Sequence, residues 1–400
     1  MWPHDAEGDE PLYIAEIPPI VFSPPWEKSF DERMAMLVSG SPRAAYFYEI
    51  PDTSTFRYRA YNVCQSLAAE PRGGPSASWF HCGDLDRIER VIDQCDVLIL
   101  CLVHYTHLIN RMVSRAHARG RRVLFDVDDL RFDVGCAHTV MDTLGVELSD
   151  DAWRYWFGNF SRIGVTMSLC DAVVVTNPYL AARAEAFLRK PTRVIPNYLN
   201  REQMEASAEI WETKERCGWA RDGRIHLAYF SGTPTHKRDF ALIDGALARL
   251  LDDDERLTLR VVGFLDGIGP ELERHRARIE RIPFQDFLNL QREIGQVEVN
   301  LVPLQDNVFT NCKSELKWFE AAAVGAVTVA APTYAFRHVI EHGINGWLAP
   351  AYAWEEILRE VIRGGEVCWR PVAVRARADA EQRFGWRHQA AAIRSALFDW

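Results

Sequence analysis

Lys313, Lys317 and Glu320 recur at positions i, i+4 and i+7 in the stretch Lys313-Ser314-Glu315-Leu316-Lys317-Trp318-Phe319-Glu320. On a helix beginning near Cys312 the three share one face, while Leu316, Phe319 and Ala323 form an apolar stripe on another. Ammonium groups neutralise phosphate and a carboxylate accepts from two vicinal hydroxyls, so this face suits a diphosphate joined to a ribose. The same spacing also suits a plain surface helix in which Lys317 pairs with Glu320 or Glu315.

A second stretch, Ser231-Gly232-Thr233-Pro234-Thr235-His236-Lys237-Arg238, follows an apolar strand and opens a helix. Free N–H groups, the helix dipole and the charges of Lys237 and Arg238 would attract an anion there. Solvated cations on a surface loop would look the same. A third stretch, Phe125-Asp126-Val127-Asp128-Asp129, places three carboxylates within four positions at a strand end. Such a cluster is costly unless solvated, paired or metal-bound. It reads as a polar binding site, a metal site or a cap on the next segment. His104 and His107 follow another strand end and face the same edge. Arg57 and Arg59 sit at the first strand-to-helix turn, within reach of a diphosphate or simply exposed.

The elements that must position these residues alternate regularly. Short, near-continuous apolar runs at 44–50, 78–80, 97–103, 122–126, 171–176 and 193–195 read as strands separated by helical patterns, which is the signature of a parallel doubly wound sheet. After a polar, irregular stretch read as a hinge (201–223), a second alternation runs from Ile225 through Val327–Ala330. The chain thus divides into a Pro-rich arm (1–43), lying over the body or partly disordered, and a first Rossmann-like domain (44–200). The hinge, a second domain (224–382) and a C-terminal helix (383–400) crossing back to the first domain complete it. Ligands in such sheets bind at the carboxyl ends of the strands, which is where the three stretches fall.

Composition narrows the function. The 400 residues carry 56 acidic against 46 basic side chains, a net charge of −10, which argues against a nucleic-acid partner. No apolar run reaches the ~18 residues of a membrane helix, and the start lacks the pattern of a signal peptide. Nine cysteines without ligand spacing read as reduced core thiols of a cytoplasmic protein.

The segment from Lys313 to Gly346, with its Lys-Ser-x2-Lys start, Glu320, Ala321-Ala322-Ala323 and Gly343-Ile344-Asn345-Gly346, resembles the donor-binding domain of family-4 glycosyltransferases. These are GT-B enzymes that use nucleotide-activated sugars. Asp171 to Thr176 followed by Ile195-Pro196-Asn197, and Phe230-Ser231-Gly232 with Lys237, agree with that family. The resemblance implies an α/β GT-B fold, two Rossmann-like domains facing each other across a cleft, and a nucleotide-diphospho-sugar as co-substrate with no further cofactor and no metal. It also implies retention of anomeric configuration. The acceptor would be a glycan or lipid-linked glycan of a bacterial surface polysaccharide, with the enzyme peripheral at the inner membrane face. Donor contacts are expected from Gly232, Lys237, Arg238, Phe264, Ile282, Asn311, Lys313, Ser314, Lys317 and Glu320, the last on the ribose. The family has a second glutamate eight positions earlier, where this chain has Cys312, and Asn311, Thr310 or the backbone there is the expected substitute. Asp128, Asp129, His104 and Lys237 are expected in catalysis, with Arg57, Arg59, His107 and Asp126 on the acceptor side. A nucleotide-sugar 2-epimerase of the same fold, or a non-catalytic sugar-nucleotide-binding protein, would retain many of the same residues.

Overall fold

The computed structural model describes residues 18–71, 73–147, 149–217, 222–232, 237–265 and 267–400, with Cys217 and Lys237 as backbone only. The described residues form two six-stranded sheets, parallel throughout. The first contains β1 (Arg43–Tyr48), β2 (Ser76–His81), β3 (Val97–Cys101), β4 (Arg122–Val127), β5 (Ala172–Val175) and β6 (Thr192–Val194), in the order β2-β1-β3-β4-β5-β6. The second contains β7 (Ile225–Ser231), β8 (Leu257–Gly263), β9 (Ile279–Ile282), β10 (Val299–Val302), β11 (Val327–Ala330) and β12 (Trp347–Leu348), in the order β12-β11-β10-β7-β8-β9. Helices cover both faces of each sheet, so central strands such as Val97-Leu98-Ile99-Leu100-Cys101 are buried at every position and need no alternation. This is the expected α/β architecture of two Rossmann-like domains.

Strand order reverses between β1 and β3 in the first sheet and between β7 and β10 in the second. A crevice opens at such switch points because the loops on either side leave in opposite directions. The loops after β1, β3, β7 and β10 are therefore the ones that can hold a ligand.

The expected irregular hinge is corrected over most of its length: Arg201–Cys217 is a 17-residue helix. Its buried positions Gln203, Ser207, Ile210, Thr213 and Lys214 keep helical spacing, but four of the five are polar, which hides the apolar stripe on which a sequence reading depends. The helix packs on the second domain, while Glu202 accepts from Tyr61 (2.8 Å) and Gln65 (2.7 Å) of the first. The chain returns at Gly385, which bridges to Leu199, and helix Ala390–Phe398 lies on β6 and on helix Asn62–Ala68.

The arm is packed from Ile20 onward, while residues 1–17 lie outside the described residues. Ile20 exchanges two hydrogen bonds with the side chain of Asn289 in the second domain (2.9 and 3.0 Å). Trp26 stacks on Phe287 of the second domain and meets Phe56 and Tyr61 of the first edge-on. Helix Phe30–Leu37 follows, started by a capping box between Ser29 and Glu32 and held by a buried Arg33–Asp84 ion pair (2.6 Å).

Candidate functional site

One cavity is lined by both domains: Thr53, Ser54, Arg57 and Tyr58 from the first, and Ser231, Gly232, Gly263, Phe284, Phe287, Lys317 and Glu320 among those from the second. Its floor is the helix Leu316–Ala323. The expected start near Cys312 is corrected by four residues. A short helix, Val308–Asn311, comes first, and Cys312 to Glu315 form the turn between the two. Lys317 and Glu320 thus share the cavity, whereas Lys313 lies before the helix.

Glu320 is buried, and a buried carboxylate persists only when paired and hydrogen-bonded. Its partners come from outside its own domain. The Tyr58 hydroxyl donates to Oε1, Gln203 Nε2 donates to the same oxygen at 3.4 Å, and Arg57 Nη2 lies 3.5 Å from it. Arg57 is itself fixed, donating to Thr53 O (2.8 Å) and Gln203 Oε1 (2.6 Å). Its guanidinium lies between the rings of Tyr58 (3.9 Å) and Phe287 (4.8 Å). A π-helical turn, Arg57–Tyr61, presents Arg57 and Tyr58 to the cleft. Arg57, expected on the acceptor side, therefore stands against Glu320.

Lys317 donates to Phe230 O at the end of β7, and burial lowers its ammonium to about 8. Beside it, Ser231 and Gly232 bring backbone to the cavity. Gly263 has φ +90°, and a Cβ there would lie 2.0 Å from Ser231 O, so only glycine allows β8 to end this close to β7. The next residue, Phe264, donates its N–H to Ser231 O (3.2 Å) and stacks against Phe284 (5.5 Å, 32°). Both rings are substantially exposed at the rim, and Ile282 ends β9 nearby. Residues 233–236 and the Lys237 side chain lie outside the described residues.

Three expected donor contacts serve other partners. Arg238 pairs with Asp142 of the first domain. Asn311 accepts from Tyr334 N (2.6 Å) and donates to Asp306 (2.8 Å) and Asn307 O (2.7 Å). It caps the helix Tyr334–Val339 and does not replace a carboxylate. Ser314 accepts from Asn197 (3.0 Å). Arg238 and Ser314 are drawn to first-domain partners, and the whole segment 305–314 is docked on that domain. Gln305 and Asn307 donate to Thr143, and Asn177 donates to Cys312 O (2.9 Å). Phe309 and Cys312 are buried within the first domain's apolar core.

On the first-domain side the acidic cluster divides. Asp126 and Arg59 form a fully buried bidentate pair (2.7 and 3.1 Å), and Arg59 also donates to Ile195 O and Asn197. These two expected acceptor residues are instead core. Asp128 accepts from Thr55 (2.8 Å), and burial, then Asp129, raise its carboxyl to about 6. Asp129 accepts from Leu130 N (2.9 Å) and faces Lys313 Nζ at 3.4 Å. With Asp126 turned inward, no group of three or more potential metal ligands converges among the described residues. His104 Nδ1 lies 2.9 Å from Glu49 Oε1. Partial burial works to raise the Glu49 carboxyl, but the His104 bonds hold it below its ordinary value. Leu102, at φ +51°, turns the chain sharply at the end of β3 so that this pair spans the switch point. His107 is exposed at the start of the helix His107–Ala118.

Residues 226–364 match the family model for glycosyl transferases group 1. That stretch lies within the second domain, which is thus similar to this family over most of its length. The chain has the GT-B fold, shared with HepE of Anabaena solved in complex with UDP (16% identity, TM-score 0.55, covering 88% of this chain and 100% of that one). Sucrose-phosphate synthase from Thermosynechococcus elongatus is similar over 87% of this chain and 96% of its own (13% identity, TM-score 0.55). So is a glycosyltransferase from Rickettsia africae, over 89% and 99% (10% identity, TM-score 0.57). No curated protein matches this chain in sequence.

Sequence reasoning passed over Tyr58, Gln203, Phe287 and Glu49. Only Tyr58 carried a signal, its position beside Arg57 in a loop already under suspicion.

Proposed function

We propose that this glycosyltransferase binds a nucleoside-diphosphate sugar in the cavity between the domains and transfers the sugar to a glycan or lipid-linked glycan. The observation that carries this reading is the placement of Glu320 and Lys317 one helical turn apart in a cavity lined by Phe284, whose ring packs against Phe264. Glu320 would hold the ribose hydroxyls. Lys317, the free N–H groups at the start of helix Leu316–Ala323 and the backbone of Ser231 and Gly232 would carry the diphosphate, with Lys237 next in the chain. The exposed ring pair would border the base. HepE, similar in fold, is solved with UDP, which supports a uridine nucleotide as the first candidate.

In this reading catalysis is electrostatic. Charge developing on the leaving diphosphate meets fixed cations and dipoles that need not reorganise, and no metal or further cofactor is required. Retention of configuration follows from likeness to the family. Asp128, Asp129 and the His104–Glu49 pair, which follow strand ends of the first domain, would receive the acceptor. No helix among the described residues is long and apolar enough to cross a membrane, so a lipid-linked acceptor would be met at the membrane surface from the cytoplasmic side.

A thermal-shift screen over nucleotide sugars, followed by nucleoside-diphosphate release with glycan and lipid-linked acceptors, tests the proposal. A matching donor should raise the melting temperature with concentration and release diphosphate only with acceptor present. Epimerised donor in the absence of acceptor would favour an epimerase, and binding without release in any mixture would favour a binding protein.

A further inference from the structure

We infer that Arg57 and Tyr58 of the first domain are positioning residues for the Glu320 carboxylate, so that recognition of the donor ribose depends on contact between the two domains. This rests on the donor reading above. The Tyr58 hydroxyl, Gln203 Nε2 and Arg57 Nη2 all converge on Oε1. Among the described residues Oε2 has no hydrogen-bond partner, while Glu320 lines the cavity. A carboxylate with one oxygen saturated has lost its rotational freedom, and the other oxygen is left to accept from a vicinal diol.

The three partners differ in what they supply. Burial pushes the Tyr58 phenol well above its ordinary value, so it stays protonated and donates. Arg57 supplies the charge that a carboxylate in this position needs, and its sandwich between Tyr58 and Phe287 fixes where that charge sits. Gln203 links the two, accepting from Arg57 and donating to Glu320. Arg57 and Tyr58 belong to the first domain, whereas Gln203 stands on the helix that packs on the second, so separated domains would leave Glu320 without its phenol and its guanidinium.

The test is the ratio of ribonucleotide to 2′-deoxyribonucleotide affinity, measured by calorimetric titration. UDP, GDP, ADP and CDP are titrated first, and the tightest binder is then compared with its 2′-deoxy form. The wild type should favour the ribonucleotide by about tenfold or more, and Glu320→Gln should bring the ratio close to one. Tyr58→Phe and Arg57→Met should each cut the ratio by roughly threefold or more, and Arg57→Lys should restore part of it because the charge returns without the fork. A loss of general stability would weaken both nucleotides equally and leave the ratio untouched, which overturns the inference. So does a wild-type ratio in Tyr58→Phe, the variant that removes a single hydroxyl and decides the matter if Arg57→Met fails to fold. If Glu320→Gln keeps the wild-type ratio, or none of the four diphosphates binds, the donor reading itself falls.

Discussion

Lys313 of the second domain and Asp129 of the first face each other across the cleft, Nζ to Oδ2 at 3.4 Å. The sequence suggests these two charges for opposite substrates, yet they oppose each other. Lys313 also lies 4.3 Å from the Phe309 ring, with Phe309 buried in the first domain. The pair therefore ties the docked segment 305–314 to the first domain.

Because Lys313 is already engaged and Lys317 lines the cavity, the two lysines should contribute unequally to donor binding. Lys317→Ala should weaken nucleoside-diphosphate binding by about 1–3 kcal/mol, the cost of losing a charge-assisted hydrogen bond. Lys313→Ala should cost at most about 1 kcal/mol, the range of a partly exposed ion pair. Calorimetry ranks them, and the reverse order would place the diphosphate at the turn before the helix.

Lys317 also predicts a pH dependence. Burial sets its ammonium near 8, below the ordinary 10.5, so it carries its charge below pH 8 and loses it above. Diphosphate affinity should fall as pH rises from 7 to 9, with proton uptake on binding near pH 8. In the free enzyme the sign is opposite, because the unfolded chain holds this proton up to about 10.5. Lys317 therefore adds stability as pH rises from 8 toward 10.5. Lys317→Arg, which stays charged, should flatten the affinity profile, and an unchanged slope would assign the effect to another group.

On the first-domain side, Asp128 is expected to act as a carboxylate beside the incoming hydroxyl. Asp128→Asn should lower turnover about 10²-fold with donor affinity unchanged, and the wild-type rate should rise with pH through about 6. Since its folded value is raised, ionising Asp128 costs stability between roughly pH 4 and 6. The asparagine variant should therefore gain relative stability as pH climbs through that window. The wild type should keep its rate in EDTA. Collapse in EDTA with rescue by Mg²⁺ or Mn²⁺ would instead make the cluster a metal site.

The arm yields a stability prediction. Trp26 is buried among Phe56 and Tyr61 of one domain and Phe287 of the other. Trp26→Ala should cost about 3–5 kcal/mol and loosen the shelf on which Arg57 rests. Urea unfolding measures it, and a loss under about 1 kcal/mol would mean the arm only overlies the domains.

How much of this could be read in advance depended on whether the information was local. Strands such as Val97–Cys101 announce themselves because every position is apolar. Helix Arg201–Cys217 does not, since its buried face is built from Gln203, Ser207 and Thr213. Helix Phe30–Leu37 was hidden by the prolines before it, although the capping pair of Ser29 and Glu32 marked its start. Within the site, Lys317 and Glu320 were legible because their spacing is helical. The pairing of Arg59 with Asp126, 67 positions apart, and of Tyr58 with Glu320, 262 apart, exists only once the sheets are assembled. Arg59 and Asp126 look like cleft residues in sequence because nothing local reveals that each is the other's counter-ion.

The central claim is that the donor lies between Glu320 and Lys317 with the two domains closed over it, and a crystal structure of the enzyme with UDP tests it most directly. The ribose hydroxyls should lie within hydrogen-bonding distance of the Glu320 carboxylate, with Tyr58 and Arg57 still on Oε1. The diphosphate should contact Lys317 and the backbone at Ser231 and Gly232, with no metal between. A nucleotide held on the first domain at Asp128 and Asp129, or a diphosphate bridged to carboxylates through a metal ion, would contradict the account.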